Sequence, residues 1–149
     1  MGKTRERFIQ EGIGKYIRYL KPYADLEIKE LKEEKITNLK DAPVVRKKEA
    51  ERIFKALPKN VFFAALDERG QEFTSLEFAS FINGLLESGI GEIAFVIGGA
   101  MGLDESISQK ADKRIALSRW TVTHEMARLV LIEQLYRAFT IIKGKTYHY

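Results

Sequence analysis

Two short, uninterrupted apolar runs govern what this chain can become: Val61-Phe62-Phe63-Ala64-Ala65-Leu66 and Ile93-Ala94-Phe95-Val96-Ile97. Both have strand length, and neither alternates polar with apolar residues, the pattern of a strand buried on both faces. Between them Thr74 and Glu77 are spaced as a capping box, opening a helix that runs to Ser88. A helix is the usual crossover between parallel strands. Another helix is expected after Asp104, then a strand at residues 115–117. The predicted class is therefore α/β with a mainly parallel sheet.

The flanking segments fit that frame. Phe8, Ile9, Ile13, Tyr16, Ile17 and Leu20 recur at threes and fours, predicting a helix that ends at Lys21-Pro22. Leu26, Ile28 and Leu31 alternate with charged residues, as in a strand with one wet face. Residues 32–41 are charged and irregular and predict a loop. From Pro43, a residue suited to a first helical turn, a helix is expected to Leu57. It carries Val44, Ile53, Phe54 and Leu57 inward, with the run Arg46-Lys47-Lys48-Glu49 as a solvated face. The last helix is expected over residues 123–143, supported by Glu133 and Arg137 four apart. Its apolar stripe is wider than one contact face requires, enough to cover the sheet and meet a second subunit.

Composition narrows the chemistry. The chain has no cysteine, which removes disulfides, thiolate nucleophiles and Cys-type zinc sites. Its two histidines, His124 and His148, are too few for a histidine-rich metal site, and no metal is expected. Neither has a visible nucleophile partner, so a hydrolase triad has no support. A net charge of +4 is compatible with a nucleic-acid partner. No apolar run approaches the roughly 18 residues of a membrane span, and no leader pattern precedes the fold, so a cytoplasmic protein is expected. At 149 residues, one domain over 1–149 is the expected organisation.

In parallel sheets ligands sit beyond the carboxyl ends of the strands. Three segments qualify: residues 67–70, 98–102 and 118–123. Gly98-Gly99-Ala100-Met101-Gly102 allows close backbone approach to a ligand, though a tight strand-to-helix turn explains it equally well. A dinucleotide-dependent oxidoreductase would need a complete G-x-G-x-x-G, which is absent here. Ser118, Thr121 and Thr123 can bind a polar ligand, but helix capping is the commoner use. Core packing is the simpler expectation for Trp120. The ending Gly144-Lys145-Thr146-Tyr147-His148-Tyr149 is aromatic enough to expect a docked tail.

Together these pieces resemble the RlmH family of the SPOUT superfamily, methyltransferases acting on N3 of a pseudouridine in 23S rRNA. The likeness covers nearly the whole chain. It rests on Leu66-Asp67-Glu68-Arg69-Gly70, on Phe95-Val96-Ile97-Gly98-Gly99 with Gly102-Leu103, and on Leu117-Ser118 followed by Thr123-His124. It continues through Glu133-Gln134-Leu135-Tyr136-Arg137-Ala138-Phe139 to Tyr147-His148.

The resemblance implies an α/β knot at the carboxyl end, a homodimer, and S-adenosylmethionine as cofactor. It implies a cofactor site built from Leu66, Gly98, Gly99, Ser118, Arg119, Trp120, Thr121, Val122 and Thr123. It implies a substrate within the assembled ribosome. His148, with His124 behind it, is the candidate for positioning or general-base work. Lys3, Arg5, Arg119, Arg128 and Tyr147 are candidates for touching the RNA. A SPOUT enzyme acting on another RNA and a noncatalytic ribosome-binding module are the competing expectations.

The chain departs from the family in two places. Thr123 and Glu125 flank His124 where many relatives have proline. Relatives also begin with an apolar strand ending in Val-Gly-Lys, whereas this sequence opens on Met1-Gly2-Lys3. The first family strand is therefore expected to be missing, with Met1 standing for a GTG-encoded valine read as a start.

Overall fold

The structure is a computed structural model and describes residues 1–36 and 38–145. Three strands form one parallel sheet: β1 (Phe62–Glu72) in the centre, β2 (Ile93–Ile97) on one side and β3 (Lys113–Ala116) on the other. Among the described residues five helices surround it: α1 (Arg7–Leu20), α2 (Ala42–Ala56), α3 (Ser75–Glu87), α4 (Glu105–Lys110) and α5 (His124–Ile142). A short 3-10 turn, Leu39–Asp41, leads into α2.

The apolar run of β1 is continuous because both its faces are covered. Ala64 points to a layer holding Phe78 and Ile82 of α3 and Leu131, Leu135 and Ala138 of α5. Its neighbours Phe63 and Ala65 point the other way, to Ala50 and Ile53 of α2 and to Ile107. That is the period-2 alternation of a strand placed between two helical layers. α1 packs on α5 through Ile9, Ile13 and Ile132. The capping box of α3 is complete: the Thr74 hydroxyl accepts from the Glu77 amide at 3.2 Å, and Glu77 accepts from the Thr74 amide at 2.7 Å.

Several expectations need correction. β1 does not stop at Leu66. After a register shift between Leu66 and Gln71 it pairs again with β3, so residues 67–70 form a bulge inside a long strand rather than a loop beyond it. Gly70 makes this possible: a Cβ there would lie 2.5 Å from the Ile115 amide nitrogen, so the strand crosses β3 with no room for a side chain. β3 begins two residues before the expected start at residue 115.

β2 is mostly half-buried rather than buried on both faces, because no strand among the described residues lies beside its outer edge. For the same reason Leu26, Ile28 and Leu31 do not become a strand. Residues 24–36 lack regular structure, since an extended segment needs a ladder partner. The charged stretch after Leu31 is pinned rather than free. Arg52 donates to the Lys32 carbonyl at 2.8 Å and pairs with Glu34, whose amide donates to Glu49 at 3.1 Å. No helix among the described residues is long and apolar enough to cross a membrane.

Candidate functional site

The β1 bulge and the segments that follow β2 and β3 lie around one cavity of about 1080 Å³. β1 contributes Leu66 and Asp67, the turn after β2 contributes Gly98 and Gly99, and the segment after β3 contributes Ser118 and residues 120–123. The walls mix apolar residues such as Ile97, Leu103 and Leu117 with charged ones, among them Arg46, Glu68, Arg69 and Glu105.

The glycine turn is closed on itself. The Gly102 amide donates to the Gly99 carbonyl at 3.0 Å, and Gly102 holds φ +75°, a conformation that favours glycine. A Cβ on Gly98 would meet the Gly102 carbonyl carbon at 2.8 Å, so the two arms of the turn touch through bare backbone. Behind the turn stands Glu49 of α2, its residue only 4% exposed, with a carboxylate oxygen 2.9 Å from where a Gly99 Cβ would be. Burial pushes the Glu49 carboxyl up, against the backbone hydrogen bond from Glu34 that stabilises its charged form.

On the β1 side, Asp67 anchors the bulge. Its carboxylate accepts from the Ser108 hydroxyl at 2.7 Å, from the Arg69 amide at 3.0 Å and from the Arg69 guanidinium at 3.1 Å. Burial raises the Asp67 pKa, but hydrogen bonds from the Arg69 side chain and amide and from Ser108 outweigh it, bringing it down to about 2. Arg69 also reaches Glu105 at the start of α4, at 3.3 Å, across the cavity rim.

On the third side, Thr123 caps α5, its hydroxyl accepting from the Met126 amide at 3.2 Å. Ser118 forms a local turn with the Trp120 amide at 3.1 Å. His124, the first residue of α5, lines the cavity, with Nε2 3.7 Å from a Glu33 carboxylate oxygen. Gly2 fits against this pair: a side chain there would lie 2.4 Å from Glu33 and 2.9 Å from His124. Glu125 accepts from the Arg5 and Glu6 amides at 2.8 and 3.1 Å, and those bonds hold its carboxyl below the usual range.

The structure therefore brings together Leu66, Gly98, Gly99, Ser118, Trp120, Thr121, Val122, Thr123 and His124. Arg119 does not join them: its side chain is exposed and lies 3.4 Å from Glu72, away from the cavity. Trp120 is not a core residue; it is 83% exposed at the cavity rim, because the turn built by Ser118 projects it outward. Lys3 and Arg5 are exposed.

Arg128 does not reach the surface. Its residue is 6% exposed, and its guanidinium donates to the Gly2 carbonyl at 3.0 Å and to Glu30 at 3.2 Å, with Thr4 as a further partner. It ties the amino-terminal backbone to α5. Its phase was the available signal, since Arg128 shares a helix face with the buried Leu131, Leu135 and Ala138. Tyr147 and His148 lie outside the described residues. Sequence reasoning missed Glu33, Glu49 and Ser108; a charged loop, a charged helix face and an ordinary serine gave no local cue.

Comparison with known proteins agrees with this geometry. Residues 1–148 match the family described as "Predicted SPOUT methyltransferase". The chain is similar to the Ribosomal RNA large subunit methyltransferase H of Geotalea uraniireducens, 45% identical over 149 residues, covering all of this chain and 95% of the relative. The proteins of that name from Geobacter sulfurreducens and Halothermothrix orenii are 44% and 42% identical, each with 95% of the relative covered. Full-length identity at this level, on a sheet whose strand ends converge on one cavity, places the chain in the SPOUT methyltransferase family.

Proposed function

We propose that this protein is one methyltransferase domain that transfers a methyl group from S-adenosylmethionine to N3 of a pseudouridine in large-subunit rRNA. One observation carries the reading: two strand-end turns and the bulge of β1, distant in sequence, surround a single cavity with glycine backbone on one wall. The cavity suits the cofactor, because bare backbone at Gly98–Gly102 can approach a ligand closely while Leu66, Ile97 and Leu103 offer apolar cover. When bound, S-adenosylmethionine supplies an electrophilic methyl on a sulfonium, so no metal or covalent enzyme intermediate is needed.

The chain's own task is orientation. The Gly98–Gly102 turn and the segment 118–123 hold the two sides of the ligand. Asp67 and Ser108 keep the β1 bulge in place. His124, steadied by Glu33, stands at the cavity wall where it can position an acceptor group. His148 remains the candidate general base for the imide proton. Lys3, Arg5 and the exposed Arg119 are the candidate cations for rRNA phosphates, and Trp120 and Tyr147 the candidates for stacking on a base. A homodimer stays an expectation from the family likeness, since α1, α3 and the sheet already cover the apolar stripe of α5, and a ribosomal substrate puts the work in the cytoplasm.

The test is transfer of labelled methyl from S-adenosylmethionine to whole ribosomes, compared with free subunits, with the product nucleoside identified by mass spectrometry. Methylated pseudouridine from ribosomes is the expected product. No calorimetric signal with the cofactor, together with no label in any RNA, would overturn the proposal. Label in another RNA would keep the chemistry and replace the substrate.

A further inference from the structure

Two arginines line the cavity, and they differ in one respect. Arg69 is held by Asp67 and Glu105. Arg46, near the start of α2, makes no ion pair or side-chain hydrogen bond with any described residue. Burial makes this unusual. The other arginines that are buried or half-buried among the described residues are Arg52, Arg128 and Arg137, and each is paired with a glutamate. A guanidinium drawn partly out of water recovers that cost only when an anion stands opposite it. For Arg46 that anion is not within the described chain, and the side chain lines a ligand cavity.

The packing of α2 puts it there. Val45, Glu49, Ala50 and Ile53 are buried and fix the rotation of the helix, so Arg46 falls at the edge of the covered face and Lys47 outside it. Both cations lie near Asp104, where their charges add to the Ser106 hydrogen bonds that hold its carboxyl below the usual range. Asp104 is already engaged as the cap of α4, accepting from the Ser106 amide at 3.0 Å and its hydroxyl at 2.6 Å, and it pairs with neither cation. The other charged residues of the lining are mostly carboxylates, Glu6, Asp67, Glu68, Glu105 and Glu125 among them. Anions are therefore drawn to the α2 side of the mouth.

We propose that Arg46 and Lys47 form a phosphate-binding lip at the mouth of the cavity, gripping the backbone of the RNA whose base enters it. This rests on the methyl-transfer reading above and adds a contact surface to it. The planar guanidinium of Arg46 suits two phosphate oxygens, while Lys47 acts as a point charge. A lone carboxylate, such as that of the methyl donor, would need one cation at the wall. Here the charges continue outward through the exposed Lys47 and Lys48, which suits a ligand that is itself a row of anions.

The test measures ribosome binding against salt for the unaltered chain, Arg46→Gln, Lys47→Gln and Arg46→Lys. Lys59→Gln is the control, an exposed lysine ahead of β1 at the other end of the sheet. Each glutamine variant at the lip is expected to lower the salt slope by about one. At about 0.1 M salt that corresponds to roughly five- to eightfold weaker binding. Arg46→Lys keeps the slope, Lys59→Gln changes nothing, and protein-free rRNA shows the same losses. Calorimetry with S-adenosylmethionine should give the same affinity for every form. A loss of donor affinity in Arg46→Gln would overturn the proposal, since the residue would then hold the donor's carboxylate. So would a loss confined to ribosomes and absent with protein-free rRNA, since the lip would then meet a ribosomal protein. An unaltered chain that binds ribosomes and transfers methyl, with lip variants that bind equally well, sinks the lip alone. An unaltered chain that binds no ribosomal RNA sinks the functional reading and the lip together.

Discussion

Gly98 is the position where a single methyl group tests the cavity most sharply. Replacing it with alanine puts a Cβ 2.8 Å from the Gly102 carbonyl carbon, 2.9 Å from its oxygen and 3.0 Å from the Leu103 nitrogen. Ordinary contact begins at 3.4 Å, so the two arms of the turn must part by about 0.6 Å. All three atoms are backbone, and none can rotate aside. The Gly102-to-Gly99 hydrogen bond, 3.0 Å long, would stretch to about 3.6 Å, where it no longer counts as one. Losing it costs about 0.5–1.5 kcal/mol. Overpacking adds roughly 1–3 kcal/mol. If the variant relieves this by opening the turn, reclosing it around the cofactor costs about 2–4 kcal/mol, a thirty-fold or greater rise in Kd.

Gly99→Ala is the internal control. Its Cβ meets only the tip of the Glu49 side chain, at 2.9 and 3.3 Å, which can give way. A loss of less than about tenfold is expected there. Calorimetric titration of both folded variants with S-adenosylmethionine decides the matter. Unchanged affinity in Gly98→Ala, or a larger loss in Gly99→Ala, would refute the reasoning.

Gly70→Ala should be the most destabilising glycine substitution outside the cavity, because its Cβ lands 2.5–2.7 Å from the Arg114–Ile115 backbone. A loss near 3 kcal/mol, about 6–12 °C in Tm, is expected in a thermal melt. Asp67 gives an acid signature. Its folded pKa is depressed, so the stability it contributes is present above the unfolded value of 3.8 and is lost as pH falls through about 2. Asp67→Asn should therefore flatten that part of the stability-against-pH curve. Arg128→Met leaves the Gly2 carbonyl and Glu30 without their donor, and a loss of roughly 2–4 kcal/mol by denaturant melt is expected. Lys3→Ala and Arg5→Ala should leave stability within about 0.5 kcal/mol. Each should reduce the slope of ribosome binding against salt by about one.

The elements that were legible before the structure are those in which local pattern and tertiary environment agree. The capping box at Thr74 and Glu77 and the cap at Thr123 satisfy backbone donors within a few residues, and the proline near the start of α2 removes one that would have no partner, so all three are local. The cavity was legible in part, because glycines after a buried strand and hydroxyls before a long helix mark strand-end turns. Arg128 and Trp120 were misread in opposite directions. An arginine was taken as a surface cation and is buried by backbone carbonyls that come from the other end of the chain. Trp120, for which core packing is the simpler local expectation and the family likeness implies a cofactor contact, is held out at the cavity rim by a turn.

The order of apolar runs and turn residues was enough to determine a parallel α/β arrangement with glycine and hydroxyl turns after β2 and β3, because burial on both faces and crossover connections leave few alternatives. Tertiary structure alone decided which polar groups meet. Glu33 facing His124, Glu49 behind Gly99, and Asp67 holding Ser108 all join residues far apart in sequence. It alone also left β2 half-exposed and residues 24–36 without a ladder. A strand's hydrogen bonds belong to its neighbour, so no pattern within a segment can state whether that neighbour is there.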